Sequence, residues 1–195
     1  MAMIRGRRLE GPMTPETFLS EVAQPNMAAA LTDPDDIRAI VNAILTLDAL
    51  AGIIHANGVA AGDPAMCSYA TDDLYRDALA DISRSFQVLR DTAASIKHGA
   101  LDPNRKKVRL VRKSQALKTV TNGFGLFQFG DRLGSDVIVI KFDPGPGYVR
   151  ASDMVADSFR MLKRVVEGEP ARTDENDRAS FLPQDDAPAS PDVTC

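Results

Sequence analysis

The sequence predicts an α+β fold: a long antiparallel helix hairpin with a short N-terminal helix, a small antiparallel β-meander and a C-terminal helix. Residues 37–54 and 75–96 each carry apolar side chains at alternating spacings of three and four, the period of an amphipathic helix. The string VIVIKF, residues 137–142, is rich in β-branched residues and predicts a strand. A third amphipathic segment, from residue 152 onward, predicts the closing helix.

Length and composition indicate one domain with two tails. The chain has 195 residues, 44% of them hydrophobic and 26% charged, and a formal net charge of -4. We expect a flexible N-terminus over residues 1–13, a single domain over residues 14–167 and a disordered acidic tail over residues 168–195. The negative total disfavours a protein that coats nucleic acid with its whole surface, but it is compatible with a local basic patch.

The sequence also predicts where the protein resides. The first residues, MAMIRGRRLEGP, are basic but lack the apolar run of a secretory signal. Cys67 and Cys195 are too few for a disulfide framework, which favours a reducing cytoplasm. Polar residues interrupt the apolar stretch of residues 39–61, which argues against a membrane span.

The first two helices are predicted from their starts. Thr14 followed by Pro15 is a typical helix start, with the hydroxyl as N-cap and proline in the first turn. We expect a short helix over residues 15–23, which Pro25 ends. The acidic stretch of residues 33–36 is a second start, and the apolar period after it predicts a long helix that ends near residue 57.

The second arm of the hairpin is predicted as one continuous helix over residues 71–99. Thr71 is a good N-cap residue, and Gly99 can adopt the left-handed conformation that ends a helix. Residues 59–70 are too few to carry the chain back to the other end of the first arm. We therefore expect the two arms, over about residues 34–98, to pack antiparallel.

One face of this second arm carries polar residues that could form a site. Arg84, Asp91 and His98 lie in one row at intervals of seven, with Arg90 and Lys97 in the neighbouring row. In one interpretation, the guanidinium of Arg90 and the imidazole of His98 converge on a ligand. In the other, His98 caps the helix end, and Arg90 and Asp91 are solvated or pair with neighbouring segments.

The string LRDTAASIKHGAL, residues 89–101, resembles a helix signature of a group of uncharacterised bacterial proteins and, more distantly, HEPN domains. In HEPN ribonucleases, an arginine, a polar neighbour and a histidine on one helix line an RNA cleft between two subunits. The resemblance implies that Arg90 steadies the scissile phosphate, that Asp91 is the polar neighbour, and that His98 is the acid or base of metal-independent cleavage. It also implies a homodimer.

A basic stretch follows the second arm, with seven cationic residues and no acid between residues 105 and 118. Val108 and Leu110 alternate with Lys107 and Arg109, which predicts a half-buried strand with a cationic outer face. This face either contacts the phosphates of RNA or DNA, or protects an edge strand against aggregation. The candidate residues for binding nucleic acid or another anion are Lys97, Arg105, Lys106, Lys107, Arg109, Arg112 and Lys113.

The rest of the chain is predicted to complete a β-meander over about residues 105–149. Further strands are expected at residues 126–129 and 136–142, with an extended segment at 148–149. The glycines of residues 123–134 match neither a P-loop nor a dinucleotide fingerprint. Ser152 is expected to cap the last helix, which runs to residue 167.

The sequence predicts neither a metal nor another cofactor. His55 and His98 lie at the C-terminal ends of antiparallel helices, hence at opposite ends of the hairpin, and no ligand cluster accompanies them.

The leading functional hypothesis is an interaction module, a homodimer without membrane attachment, that contacts RNA or another polyanion. The alternatives are a HEPN-like, metal-independent ribonuclease of the toxin or phage-defence type, and a structural subunit of a larger assembly. The sequence leaves open whether the protein is an enzyme.

Overall fold

A computed structural model describes residues 13–102, 109–121, 134–143, 145 and 147–171. It confirms the predicted α+β class, with a small three-stranded antiparallel sheet and a C-terminal helix. The elements in chain order are α1 (Pro15–Phe18), a π-helical turn (Leu19–Ala23), α2 (Gln24–Thr32), α3 (Ile37–Ala60), α4 (Pro64–Cys67), α5 (Asp72–Ile82), α6 (Arg84–His98), a 3₁₀ turn (Ser114–Ala116), β1 (Leu117–Thr121), β2 (Asp136–Lys141), β3 (Tyr148–Arg150) and α7 (Ala151–Val166).

The N-terminal helix does not end at Pro25, so that prediction is wrong. The helical chain continues to Thr32 because the turn before the proline is widened into a π-helix. There the backbone N–H of Gln24 donates to the carbonyl of Leu19, five residues back. Pro25 then lies in the first turn of α2, where the missing N–H is easily tolerated.

Helix α3 forms the core as predicted. Asp36 caps its start, because the carboxylate accepts the backbone N–H of Arg38 at 2.8 Å. Its buried apolar residues face α2, α5, α6 and α7. By length and composition α3 is apolar enough to cross a membrane, with a mean hydropathy of 1.8 over its best 18-residue window. Asp48 and His55 within it are buried against other helices, which is the environment of a core helix.

The predicted continuous helix over residues 71–99 is broken at Ser83, so that prediction is also wrong. Ser83 has an extended backbone with φ -122° and ψ 120°, and its hydroxyl accepts the N–H of Phe86 at 3.2 Å. It therefore ends α5 and caps α6. Across this break, Arg90 of α6 forms an ion pair with Asp77 of α5 at 2.5 Å.

Asp48, in the middle of α3, joins three helices. One of its carboxylate oxygens lies 3.4 Å from Nε of Arg76 on α5, and the other lies 2.5 Å from Nζ of Lys97 on α6. The side chain of Arg76 can cross α3 because Gly52 has no side chain. A Cβ at position 52 would lie 2.5 Å from the guanidinium of Arg76. Since Asp48 and Gly52 meet Arg76 and Asp72 in reverse order, α3 and α5 pack antiparallel, as predicted.

The sheet has the order β1-β2-β3 and packs against α7. Strands β2 and β3 lie where the sequence predicts them. The prediction of a strand over residues 107–110 fails in its described part, because residues 109–110 belong to no strand and β1 begins only at Leu117. The predicted strand at residues 126–129 and most of the acidic tail lie outside the described residues.

Helix α7 begins at Ala151, two residues earlier than a cap at Ser152 predicts. Arg150, and not Ser152, is its N-cap residue, and no side-chain hydrogen bond caps it. Met154 and Leu162 of α7 are buried in the same cluster as Ile138 and Ile140 of β2. The sheet and the helices therefore share one core.

Candidate functional site

Asp91 is the centre of a buried ion-pair network. Its side chain is fully buried, with 0% exposure. One oxygen accepts Nη2 of Arg90 at 3.0 Å and Nη1 of Arg109 at 2.7 Å, and the other accepts the backbone N–H of Leu110 at 2.7 Å. Arg109 and Leu110 lie 18 and 19 residues further along the chain than Asp91. Asp91 therefore fixes the basic stretch against α6.

Arg90 also belongs to this network. Besides Asp91, its guanidinium binds Asp77 at 2.5 Å, and the residue is only 8% exposed. The structure therefore does not bring Arg90 and His98 together at an accessible rim. The catalytic roles implied for Arg90 and Asp91 remain predictions, and the burial of both side chains disfavours them.

His98 is exposed at the end of α6 and lines a pocket of about 250 Å³, which we call the histidine pocket. Its other described lining residues are Ala100, Leu101, Asp102 and Arg109. The cation beside His98 is thus Arg109, which the sequence analysis assigns to a solvent-facing strand. Its side chain is 15% exposed, and Asp91 accepts one of its N–H groups.

A second pocket, of about 330 Å³, carries three lysines, and we call it the lysine pocket. It is lined by Lys113, Gln115, Ala116, Lys118, Lys141, Phe142, Asp143 and Gly145. The strand register explains why two of these lysines lie close together. Lys118 of β1 pairs with Val139 of β2, which is two residues before Lys141. Lys118 and Lys141 are therefore diagonal neighbours on one face, with Cα atoms about 7–8 Å apart.

The three lysines, Lys113, Lys118 and Lys141, have no charge partner among the described residues. Many other cations do have one, among them Arg38, Arg76, Arg90, Lys97, Arg109, Arg160 and Lys163. Asp143 is the single acidic residue among the described residues of the pocket wall. The positive charge of the three lysines is therefore largely uncompensated.

The predicted anion-binding residues are dispersed. Lys97 binds Asp48, Arg109 binds Asp91, and Arg112 is half-buried. Lys113 alone, among those that are described, lines the lysine pocket. Arg105, Lys106 and Lys107 lie outside the described residues.

The sequence pattern does not predict two of the three lysines of the lysine pocket, Lys118 and Lys141. Lys118 belongs to the predicted basic stretch but was not assigned to the binding surface, and Lys141 was read only as part of a strand. The string LKTVT gives no alternating signal, because its two apolar residues, Leu117 and Val120, lie on opposite faces of a strand. The partner of Lys118 on β2 follows only from the register.

The second histidine has a structural environment. His55 is buried, its Nε2 lies 3.1 Å from the carbonyl oxygen of Tyr69, and its ring stacks on Tyr75 at a centroid distance of 5.8 Å. Burial raises the pKa of the Tyr75 phenol, whose hydroxyl has no hydrogen-bond partner in the described part of the chain. Within that part, no three or more His, Cys, Asp or Glu side chains are grouped to hold a metal ion.

In comparisons with known proteins, no family model, no curated protein and no solved structure matches this chain. The function is therefore argued from the geometry of the site.

Proposed function

We propose that the protein is a non-catalytic interaction module that binds an anionic partner, foremost a nucleic acid, through the lysine pocket. One observation carries the proposal: three lysines, Lys113, Lys118 and Lys141, line one pocket, and none of them has a carboxylate partner among the described residues. Like charges held close together repel each other, so an anion that enters the pocket relieves this repulsion.

The residue types favour phosphate as the bound group. Lysine is a compact, strongly hydrated point charge that commonly binds phosphate, whereas arginine offers a planar fork for two-point recognition. No arginine lines the described part of the lysine pocket, and the amide of Gln115 adds a neutral donor. The pocket therefore suits phosphate groups held by charge, without recognition of a particular base.

The salt dependence of binding tests this proposal. Fluorescence anisotropy of a labelled oligothymidine of about 20 nucleotides would measure the association constant of the purified protein at several salt concentrations. Three phosphate contacts on a single strand predict that log K falls with log[salt] at a slope of about -2. Absence of binding at low salt, or binding that salt does not weaken, would contradict the proposal.

A metal-independent ribonuclease is the second candidate, and the accessibility of His98 favours it. The imidazole lines a pocket beside Arg109, so a cation and an acid or base are adjacent there. RNA incubated with the protein and a metal chelator separates the candidates. The leading proposal predicts intact RNA, whereas cleavage that is lost in His98→Ala would show a nuclease.

The homodimer and the structural-subunit alternative both remain predictions. The mass of the particle in solution checks the first. A subunit of a larger assembly would bind neither the oligothymidine nor any other polyanion.

A further inference from the structure

The lysine pocket and the histidine pocket are separated only by two paired segments of chain. Ala100 and Lys113 are partners in an isolated antiparallel bridge. On either side of it, the N–H of Leu101 donates to the carbonyl of Arg112 at 2.8 Å, and the N–H of Ser114 donates to the carbonyl of Gly99 at 3.0 Å. One bridge with two backbone hydrogen bonds therefore holds the two segments together where the pockets meet.

This pairing places the two pockets side by side. Ala100 lines the histidine pocket and Lys113 lines the lysine pocket. Directly opposite residues of an antiparallel pair project to the same side of the ladder, with Cα atoms about 4.5–5.5 Å apart. The two pockets therefore adjoin at this bridge, and we call the surface that they make together the two-pocket strip.

We infer that the partner is a single-stranded nucleic acid whose backbone follows the two-pocket strip, with phosphates in both pockets. This inference rests on the proposed function and deepens it. A small anion would need the lysine pocket alone, whereas a polymer with a phosphate at every nucleotide also reaches the adjoining donors. The pockets are small, about 250 Å³ and 330 Å³, so a flexible strand can bend its phosphates into both, which the rigid backbone of a duplex cannot do.

The histidine pocket supplies the second set of donors. The ring of His98 is exposed and offers an N–H, and Arg109 has N–H groups beyond the one that Asp91 accepts. Asp102 lies in the same wall and repels phosphate, so this pocket is the weaker of the two. We therefore expect it to extend binding that the lysines establish.

The aromatic side chain in the strip does not recognise bases. Phe142 is only 9% exposed, and the guanidinium of Arg84 lies over its ring at 5.6 Å from the centroid. A base therefore has no open ring face there on which to stack, and contact with the strand runs through its backbone. Binding is expected to depend on strand length and only weakly on base sequence.

The test compares a long and a short polyanion in the full-length protein. The probes are the labelled oligothymidine and inorganic tripolyphosphate, which is small enough to occupy one pocket. We expect His98→Ala to weaken oligothymidine binding about threefold to tenfold, the worth of one hydrogen bond, and to leave tripolyphosphate binding unchanged. His98→Gln retains an N–H donor and should keep most of the affinity, and circular dichroism would show that both variants are folded.

The outcomes separate this inference from the proposed function. The two-pocket strip is overturned if His98→Ala weakens both probes equally or neither, if tripolyphosphate binds but oligothymidine does not, or if a duplex of the same length binds more tightly than the single strand. If neither probe binds, or if removing the three lysines changes neither affinity, the proposed function itself fails.

Discussion

Asp91→Asn is expected to lower the free energy of unfolding by about 3–5 kcal/mol, because it breaks a fully buried ion-pair network while almost preserving side-chain volume. The carboxylate now accepts hydrogen bonds from Arg90, Arg109 and the backbone of Leu110. An amide has one acceptor oxygen, and its NH₂ would point at donors. Arg90 keeps Asp77, but Arg109 loses the one charge partner that it has among the described residues.

Urea denaturation followed by circular dichroism would measure this loss. Asp73→Asn is the matched control, since its side chain is 88% exposed and only 3.6 Å from Arg76. The control should change the unfolding free energy by less than about 1 kcal/mol. A loss of the same small size for Asp91→Asn would show that the network does not hold the basic stretch to α6.

The combined substitution of Lys113→Gln, Lys118→Gln and Lys141→Gln is expected to weaken oligothymidine binding about 50-fold at about 0.15 M salt. Each phosphate contact on a single strand contributes about -0.7 to the slope of log K against log[salt], and three contacts give this factor. The slope itself should become less steep by about 2, because the contacts of the histidine pocket remain. All three side chains are exposed, so folding should be little affected.

The control for the lysine variant changes the net charge equally but elsewhere. Arg38, Arg160 and Lys163 are exposed cations that already pair with Asp36, Asp157 and Glu167. Replacing these three cations with glutamine should reduce the affinity much less than replacing the lysines does. Equal losses for the two triple variants would mean that overall charge, and not the lysine pocket, governs binding.

The helices that could be predicted from sequence are those with local signals. The start of α3 follows from the cap at Asp36, and the buried stripe of α7 follows from its period. The apolar period does not predict the break at Ser83. Ile82 and Phe86 keep a spacing of four across it, so the apolar stripe continues through the interruption. Serine is a strong cap residue, but the continuous period outweighed that signal.

The site could be predicted only in part because its contacts are distant in sequence. In the sequence, an aspartate beside an arginine on a polar helix face is typical of a solvated pair. Asp91 is buried because Arg109 and Leu110, which are distant in sequence, pack against it in the fold. The lysine pocket likewise depends on the register of β1 with β2, which brings Lys141 beside Lys118. Neither contact leaves a periodic signal in the sequence.

The most direct test of the lysine pocket is the chemical accessibility of individual lysines with and without the bound strand. The protein would be treated briefly with an amine-acetylating reagent, alone and with saturating oligothymidine, and the modification of each lysine measured by mass spectrometry. We predict that the strand protects Lys113, Lys118 and Lys141, while Lys163, half-exposed on α7 and paired with Glu167, reacts equally in both samples. Protection of Lys163 to the same extent, or reaction of the three pocket lysines unchanged by the strand, would contradict the account.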